Sequence, residues 1–183
     1  MTVGDVNSDA KGSGARYNDG KPPLDLIPLR LIAEAYIGMP DEQLRFSLLN
    51  VGQFQETGDR RFLLEALFHL GQPWIECAEV FGYGRKKYAS WNWAKGMNWS
   101  VPIGCIGRHW LKIVAKKEEL DDESGLSHRG HIACNIVMLL TFVVTYPEGN
   151  DLPIQWLLLP AKDALFQAGL SDEHEALTFG VTA

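Results

Sequence analysis

Along most of the chain, apolar residues recur at intervals of three and four, the spacing of one face of a helix. Phe62, Leu63, Ala66, Leu67 and Leu70 fall at i, i+1, i+4, i+5 and i+8. This predicts a helix that starts near Asp59 and is broken at Gly71-Gln72-Pro73. The same reading predicts helices over 29–37 and over 41–54, the second capped by Asp41 with Leu44 and Leu48 on one face. A fourth runs over about 73–88 with Trp74, Cys77, Ala78 and Phe81 inward. A fifth is capped by Ser100, turns Ile103, Ile106, Trp110 and Ile113 inward, and ends in the charged run 116–123. A sixth spans about 127–146 on a stripe of Ile132, Ile136, Leu139, Leu140 and Val143.

Residues 16–23 are too rich in turn formers for regular structure, and Pro28 disfavours helix before it, so 24–28 is expected to be extended. Three tryptophans punctuate a loop over 90–99. Residues 1–15, rich in Gly, Ser, Asp and Asn, are expected to be mobile, and 147–183 form a less regular extension with a short helix near 161–168. No alternating strand pattern of useful length is present. The expected fold is all-α, a compact bundle of about six helices with an extended N-terminal segment.

Composition narrows the function classes. A formal net charge of −6 over 183 residues argues against a grip on extended nucleic acid, which relies on many Lys and Arg contacts to phosphates. A single nucleotide needs only one or two cations and stays compatible with it. The three cysteines, Cys77, Cys105 and Cys134, are far apart and lie in apolar stretches, which reads as buried small side chains in a reducing compartment. The first residues have no leader pattern. The longest apolar run, 136–144, is about half a membrane span, so a core helix without membrane contact and a cytoplasmic location are expected.

Several polar residues stand where chemistry is possible. Glu76 and Glu79 share a helix face, and Glu118 and Asp121 repeat the spacing. Two such pairs face to face supply the oxygen ligands that Mg²⁺ takes, although acidic pairs at this spacing are commonly solvated faces. His128, His131 and Asn135 fall at i, i+3 and i+7 of a greasy helix, where buried polar groups need partners. Imidazoles there can bind metal, move protons or donate to phosphate, and the spacing does not choose among these. Lys87, Arg108 and Lys112 are candidate phosphate contacts. Tyr88, Trp91 and Trp93, with Asn92 between the tryptophans, can stack on a base or pin a loop to the core.

The blocks Ala15-Arg16-Tyr17-Asn18-Asp19-Gly20-Lys21-Pro22-Pro23, Tyr83-Gly84-x-x-Lys87-Tyr88-x-x-x-Asn92-Trp93-x-x-Gly96, Arg108-His109, and Glu118-x-x-Asp121-x-Glu123-Ser124-Gly125-x-x-His128-x-x-His131-x-x-x-Asn135 together resemble the bacteriophage family of dATP/dGTP diphosphohydrolases (N-terminal domain). That family is loosely grouped with the MazG-like all-α nucleotide pyrophosphohydrolases. The resemblance covers about 15–30 and 79–140, makes 16–146 a nucleotide-binding domain, and leaves 38–72 as an expected insertion. It implies hydrolysis of a purine deoxynucleoside triphosphate to monophosphate and pyrophosphate. It implies Mg²⁺ (or Mn²⁺) on Glu76, Glu79, Glu118 and Asp121, and the host cytoplasm as location. Substrate contacts are expected from Lys87, Tyr88, Asn92, Trp93, Arg108, His109, Lys112 and Asn135. His128, His131 and Glu123 are the expected catalytic residues. A homo-oligomer is expected from the apolar helix faces. The rival reading is a phage protein that sequesters a host nucleotide signal without turnover.

Overall fold

The computed structural model describes residues 2–157. The fold is all-α, with seven helices among the described residues. These are α1 (Leu29–Ala35), α2 (Glu42–Thr57), α3 (Arg60–His69), α4 (Trp74–Tyr88), α5 (Ser100–Lys116), α6 (His128–Thr145) and the short α7 (Ile154–Leu157). The only sheet among these residues is a two-stranded antiparallel ribbon of β1 (Thr2–Val3) and β2 (Arg16–Tyr17).

Helix boundaries follow from local chemistry. The Asp41 carboxylate accepts from the Leu44 amide at 2.9 Å and opens α2. Gly58, at φ 70°, closes α2 by donating to the Phe54 carbonyl. Asp59 caps α3 through the Arg61 amide. Pro28 precedes α1 and has no side chain to cap it. The buried Gln55 side chain does so from α2, accepting from the Leu29 amide and donating to the Asp25 carbonyl, both at 2.9 Å.

The start of α5 departs from the expected cap. Ser100 is the first helical residue, and Asp151 takes both its amide (2.9 Å) and its hydroxyl (2.6 Å). A carboxylate from a remote segment suits the positive end of the helix better than the local hydroxyl. Residues 24–26 also differ from the extended expectation, forming a 3-10 turn before the extended Ile27.

α6 lies at the centre, packed against α5, α4 and α3, while α2 joins α1 and α3 to this layer. Ile132, Ile136, Leu139 and Phe142 of α6 are fully or almost fully buried with Leu48, Val51 and Phe54 of α2 and Ile103, Ile106 and Trp110 of α5. The Trp110 indole donates to the Leu44 carbonyl at 2.8 Å, so this deepest aromatic has its polar atom paired. Among the described residues α6 alone is long and apolar enough to cross a membrane, yet 61% of it is buried inside the protein. Gly130 brings α4 and α6 together: a Cβ there would lie 2.8 Å from Glu76 backbone atoms.

Two segments behave differently from their sequence expectation. Residues 38–72, expected as an insertion, contain α2 and α3 and supply Leu44, Leu48, Phe54 and Leu63 to the core. Residues 4–15, expected to be mobile, are laid against the 3-10 turn Asn92–Lys95. The Gly12 and Gly14 amides donate to the Lys95 and Gly96 carbonyls at 2.6 and 2.9 Å. The Gly, Ser and Asp content that predicts mobility is here the content of tight turns. The helix expected near 161–168 lies outside the described residues.

Candidate metal and anion site

The site forms where α5, the link to α6, and α6 itself converge. Lys117, at φ 60°, turns the chain out of α5. An isolated antiparallel bridge between Leu120 and Ser127 then folds the link back on itself. Within that loop the Asp121 amide donates to the Leu126 carbonyl at 2.8 Å. The Asp121 carboxylate accepts from the Ser124 amide and hydroxyl at 3.0 and 2.9 Å. Asp121 is thereby held at the entrance of α6.

Three imidazoles gather beside it. His109 of α5 stacks on His131 of α6, ring centroids 4.3 Å apart and planes 13° apart. Its Nδ1 lies 2.9 Å from Nδ1 of His128. Asp121 oxygens lie 3.9 Å from His109 Nδ1 and from His131 Nε2. His128 is fully buried, and its Nε2 has no hydrogen-bond partner, with the nearest Glu118 oxygen at 3.9 Å. Ligand atoms of His109, Asp121 and His128 fall within 4.8 Å of one another, the one such group of three among the described residues.

Electrostatics keep these rings neutral at neutral pH. Burial, helped by the neighbouring His131, His128, Arg16 and Arg108, pushes His109 down to about 2. Burial likewise lowers His131 to about 4, against the pull of Asp121, and lowers His128. Asp121 is itself held below the usual carboxylate range. Burial opposes this, but the Ser124 amide and hydroxyl and the nearby imidazoles outweigh it. The Ser124 hydroxyl gives its one proton to Asp121, so it accepts from His131 Nε2–H at 2.9 Å. This assigns His131 the tautomer with a free lone pair on Nδ1.

A cavity of about 1010 Å³ opens beside this cluster, between residues 15–22, α4, the tryptophan loop, α5 and α6. Its charged lining includes Arg16, Lys21, Lys87, Arg108, Lys112 and Glu123. Glu123 pairs with Lys87 and, at 3.5 Å, with Lys21, and Lys87 first and Lys21 next hold its carboxyl low. The aromatic lining centres on Trp93, which packs on Phe81 and Trp91 at 5.0 and 6.0 Å.

The sequence-derived candidates divide accordingly. His109, Asp121, His128 and His131 come together, and Lys87, Tyr88, Asn92, Trp93, Arg108, Lys112 and Glu123 line the cavity near them. The two acidic pairs do not form one constellation. Glu76 is half-buried against α6, Glu79 is exposed, and neither belongs to the cluster around Asp121. Glu118 pairs with Lys112 at 2.7 Å. Glu76 is taken up by the close contact with Gly130 of α6, whereas Glu79, one turn further on, stays exposed to solvent.

His109, expected at substrate, lines the cavity and also belongs to the candidate metal group. Asn135 is fully buried, donates to the His131 carbonyl one turn earlier in α6 at 2.7 Å, and is not among the residues lining the cavity. Asn92 is also buried and donates to the Ala15 carbonyl at 3.1 Å, pinning the N-terminal segment. Arg16 and Ser124 belong to the family-like blocks, and spacing alone gives neither a role. A lone Arg among turn formers and a Ser three residues after an Asp are the signals that point to them.

Residues 52–152 match the model of the family described as dATP/dGTP diphosphohydrolase, N-terminal. The chain is also 30% identical over 76 residues to a dATP/dGTP diphosphohydrolase of Salmonella phage PMBT28, covering 42% of this chain and 26% of that relative. The match therefore spans about a quarter of the length of that curated relative. No solved structure matches the chain.

Proposed function

This chain belongs to the dATP/dGTP diphosphohydrolase N-terminal family, and from that premise we propose that it hydrolyses a purine deoxynucleoside triphosphate to monophosphate and pyrophosphate with a divalent metal. The observation that carries the reading is the group of His109, Asp121 and His128 beside a cation-lined cavity. The donor set fits a metal. Neutral imidazole is the ligating form, Asp121 is ionised, and the buried His128 Nε2 has no hydrogen-bond partner. Two nitrogens and one oxygen favour Mn²⁺ or a related transition ion over Mg²⁺, which takes oxygen ligands.

When bound, the metal supplies Lewis acidity and lowers the pKa of water. The chain's own groups do the rest. His131, neutral and oriented by Ser124, takes the proton of the attacking water. The water oxygen bonds to the α-phosphorus, the bond from that phosphorus to the bridging oxygen breaks, and pyrophosphate leaves on that oxygen. Lys87, Arg108 and Lys112 offset the charge on the phosphates. Trp91, largely exposed, and Tyr88 line this cavity, which supports a base held there by stacking. Exposed Phe68, Trp74 and Ile75 support self-association, which sedimentation measures. We place the protein in the host cytoplasm, where such a substrate is found.

The test is incubation of the purified protein with dGTP or dATP and Mn²⁺ or Mg²⁺, followed by chromatography. Equal amounts of monophosphate and pyrophosphate are expected. Release of nucleoside and triphosphate, or of orthophosphate, refutes the proposed bond cleavage. Intact nucleotide recovered from heated protein, with no turnover, replaces hydrolysis by sequestration.

A further inference from the structure

Arg16 comes from the N-terminal ribbon, outside the residues that the family model matches, and it reaches into the same cavity as Arg108. Its Nη2 donates to Cys105 Sγ at 3.1 Å and its Nη1 to Met138 Sδ at 3.6 Å. Arg108 Nη2 donates to the same Cys105 sulfur at 2.9 Å, with further bonds to the Pro22 carbonyl and Asn18 Oδ1. Two guanidinium groups thus converge on one thiol, with a nitrogen of each at 3.1 and 2.9 Å from its sulfur. No carboxylate among the described residues pairs with either. Sulfur is a weak acceptor, and two like charges in a partly buried wall call for a counter-anion.

We propose that Arg16 and Arg108 form a two-jawed clamp for a phosphate oxyanion, with Cys105 as its floor. The ligand class is a di- or triphosphate, because guanidinium forks match phosphate oxygens two at a time. This deepens the hydrolase reading by naming the residues that hold the phosphate chain, and it rests on that reading only for the nucleoside attached. The jaw from the ribbon is fixed by main-chain bonds. The Gly12 and Gly14 amides are tied to Lys95 and Gly96, Ala15 is held by Asn92, and the Tyr17 amide donates to the Tyr88 hydroxyl at 2.9 Å. A Cβ on Gly14 would lie 2.6 Å from the Gly96 carbonyl oxygen, so only glycine lets the ribbon sit this close. The ribbon is therefore part of the binding site.

The experiment uses inorganic pyrophosphate as probe, on full-length, EDTA-treated protein, by calorimetry. Wild type is expected to bind it. Arg16→Met is expected to weaken binding by about tenfold to a hundredfold, the usual range for losing charged hydrogen bonds, and Arg16→Lys by less. Deoxyguanosine affinity is expected to be unchanged in both. Unchanged pyrophosphate affinity in a folded Arg16→Met protein overturns the clamp. If that variant does not fold, Arg108→Lys decides in the same assay. It is expected to weaken pyrophosphate binding, and unchanged affinity in that folded protein overturns the proposal. The clamp and the hydrolase reading fail separately. Arg16-dependent pyrophosphate binding without dGTP turnover keeps the first and ends the second. Turnover by Arg16→Met at unchanged KM does the reverse.

Discussion

The close approach of α4 to α6 invites a paired substitution whose two members have opposite signs. At Gly130 an added Cβ would stand 2.8 Å from the Glu76 carbonyl carbon, its oxygen and its Cβ, where carbon contacts settle at about 3.5–4.0 Å. The helices must part by about 1 Å. Overpacking of this kind costs about 1–3 kcal/mol, and alanine's better helix propensity offsets about 1 kcal/mol of that. Gly130→Ala is therefore expected to destabilise by about 1 kcal/mol. Gly84 lies in the facing helix with nothing within 4 Å of its would-be Cβ. There Gly84→Ala gains propensity without a clash and is expected to stabilise by about 0.5–1 kcal/mol. Urea unfolding of the two variants and wild type, with the slope held common, reads the difference of about 2 kcal/mol. Because Gly130 adjoins His131, the destabilised variant is also expected to lose nucleotide turnover beyond its loss of folded protein. Midpoints that move in the same direction would refute the argument that the two helices touch through glycine.

Mn²⁺ is expected to raise the melting temperature of wild type, and Asp121→Asn or His109→Gln to abolish that rise. Glu79→Gln should leave it intact, and loss of the rise there would restore the four-carboxylate site. Burial pushes the Cys77 thiol up to about 11 and Cys134 further still. Neither is expected to react with a disulfide reagent at pH 8 until denaturant is added, as peptide mass spectrometry would show. Arg30 and Glu56 join α1 to α2 at 2.9 Å with both side chains largely buried. Arg30 keeps a second partner, Glu34, at 2.9 Å. Glu56→Ala is therefore expected to cost only about 1–2 kcal/mol in chemical denaturation, the loss of a charged hydrogen bond rather than of the guanidinium's last partner.

The helical pattern was legible because each long helix buries one stripe, and period 3.6 survives in the sequence. Asp41 and Gly58 behave as their residue types predict. Ser100 does not, since its competitor Asp151 is 51 residues away and local reading sees no such partner. The same limit explains the site. His128 and His131 share a helix, so their proximity is visible as spacing, whereas the His109–His128 contact depends on how α5 crosses α6. Glu76 and Glu79 carry the right spacing, but spacing does not show that Glu76 is taken up by the glycine contact between helices while Glu79 stays exposed. Arg16 is the clearest omission: its neighbours in sequence are turn formers, and its neighbours in space are Cys105 and Met138.

The near-parallel overlap of His109 and His131 has a magnetic consequence. Each imidazole lies in the shielding region of the other's ring current, so their carbon-bound protons should resonate upfield of those of a free imidazole. An ion that tilts or draws His109 away would relax that shielding and shift both signals together. A proton spectrum of the unlabelled protein can thus count occupied sites during a titration with diamagnetic Zn²⁺.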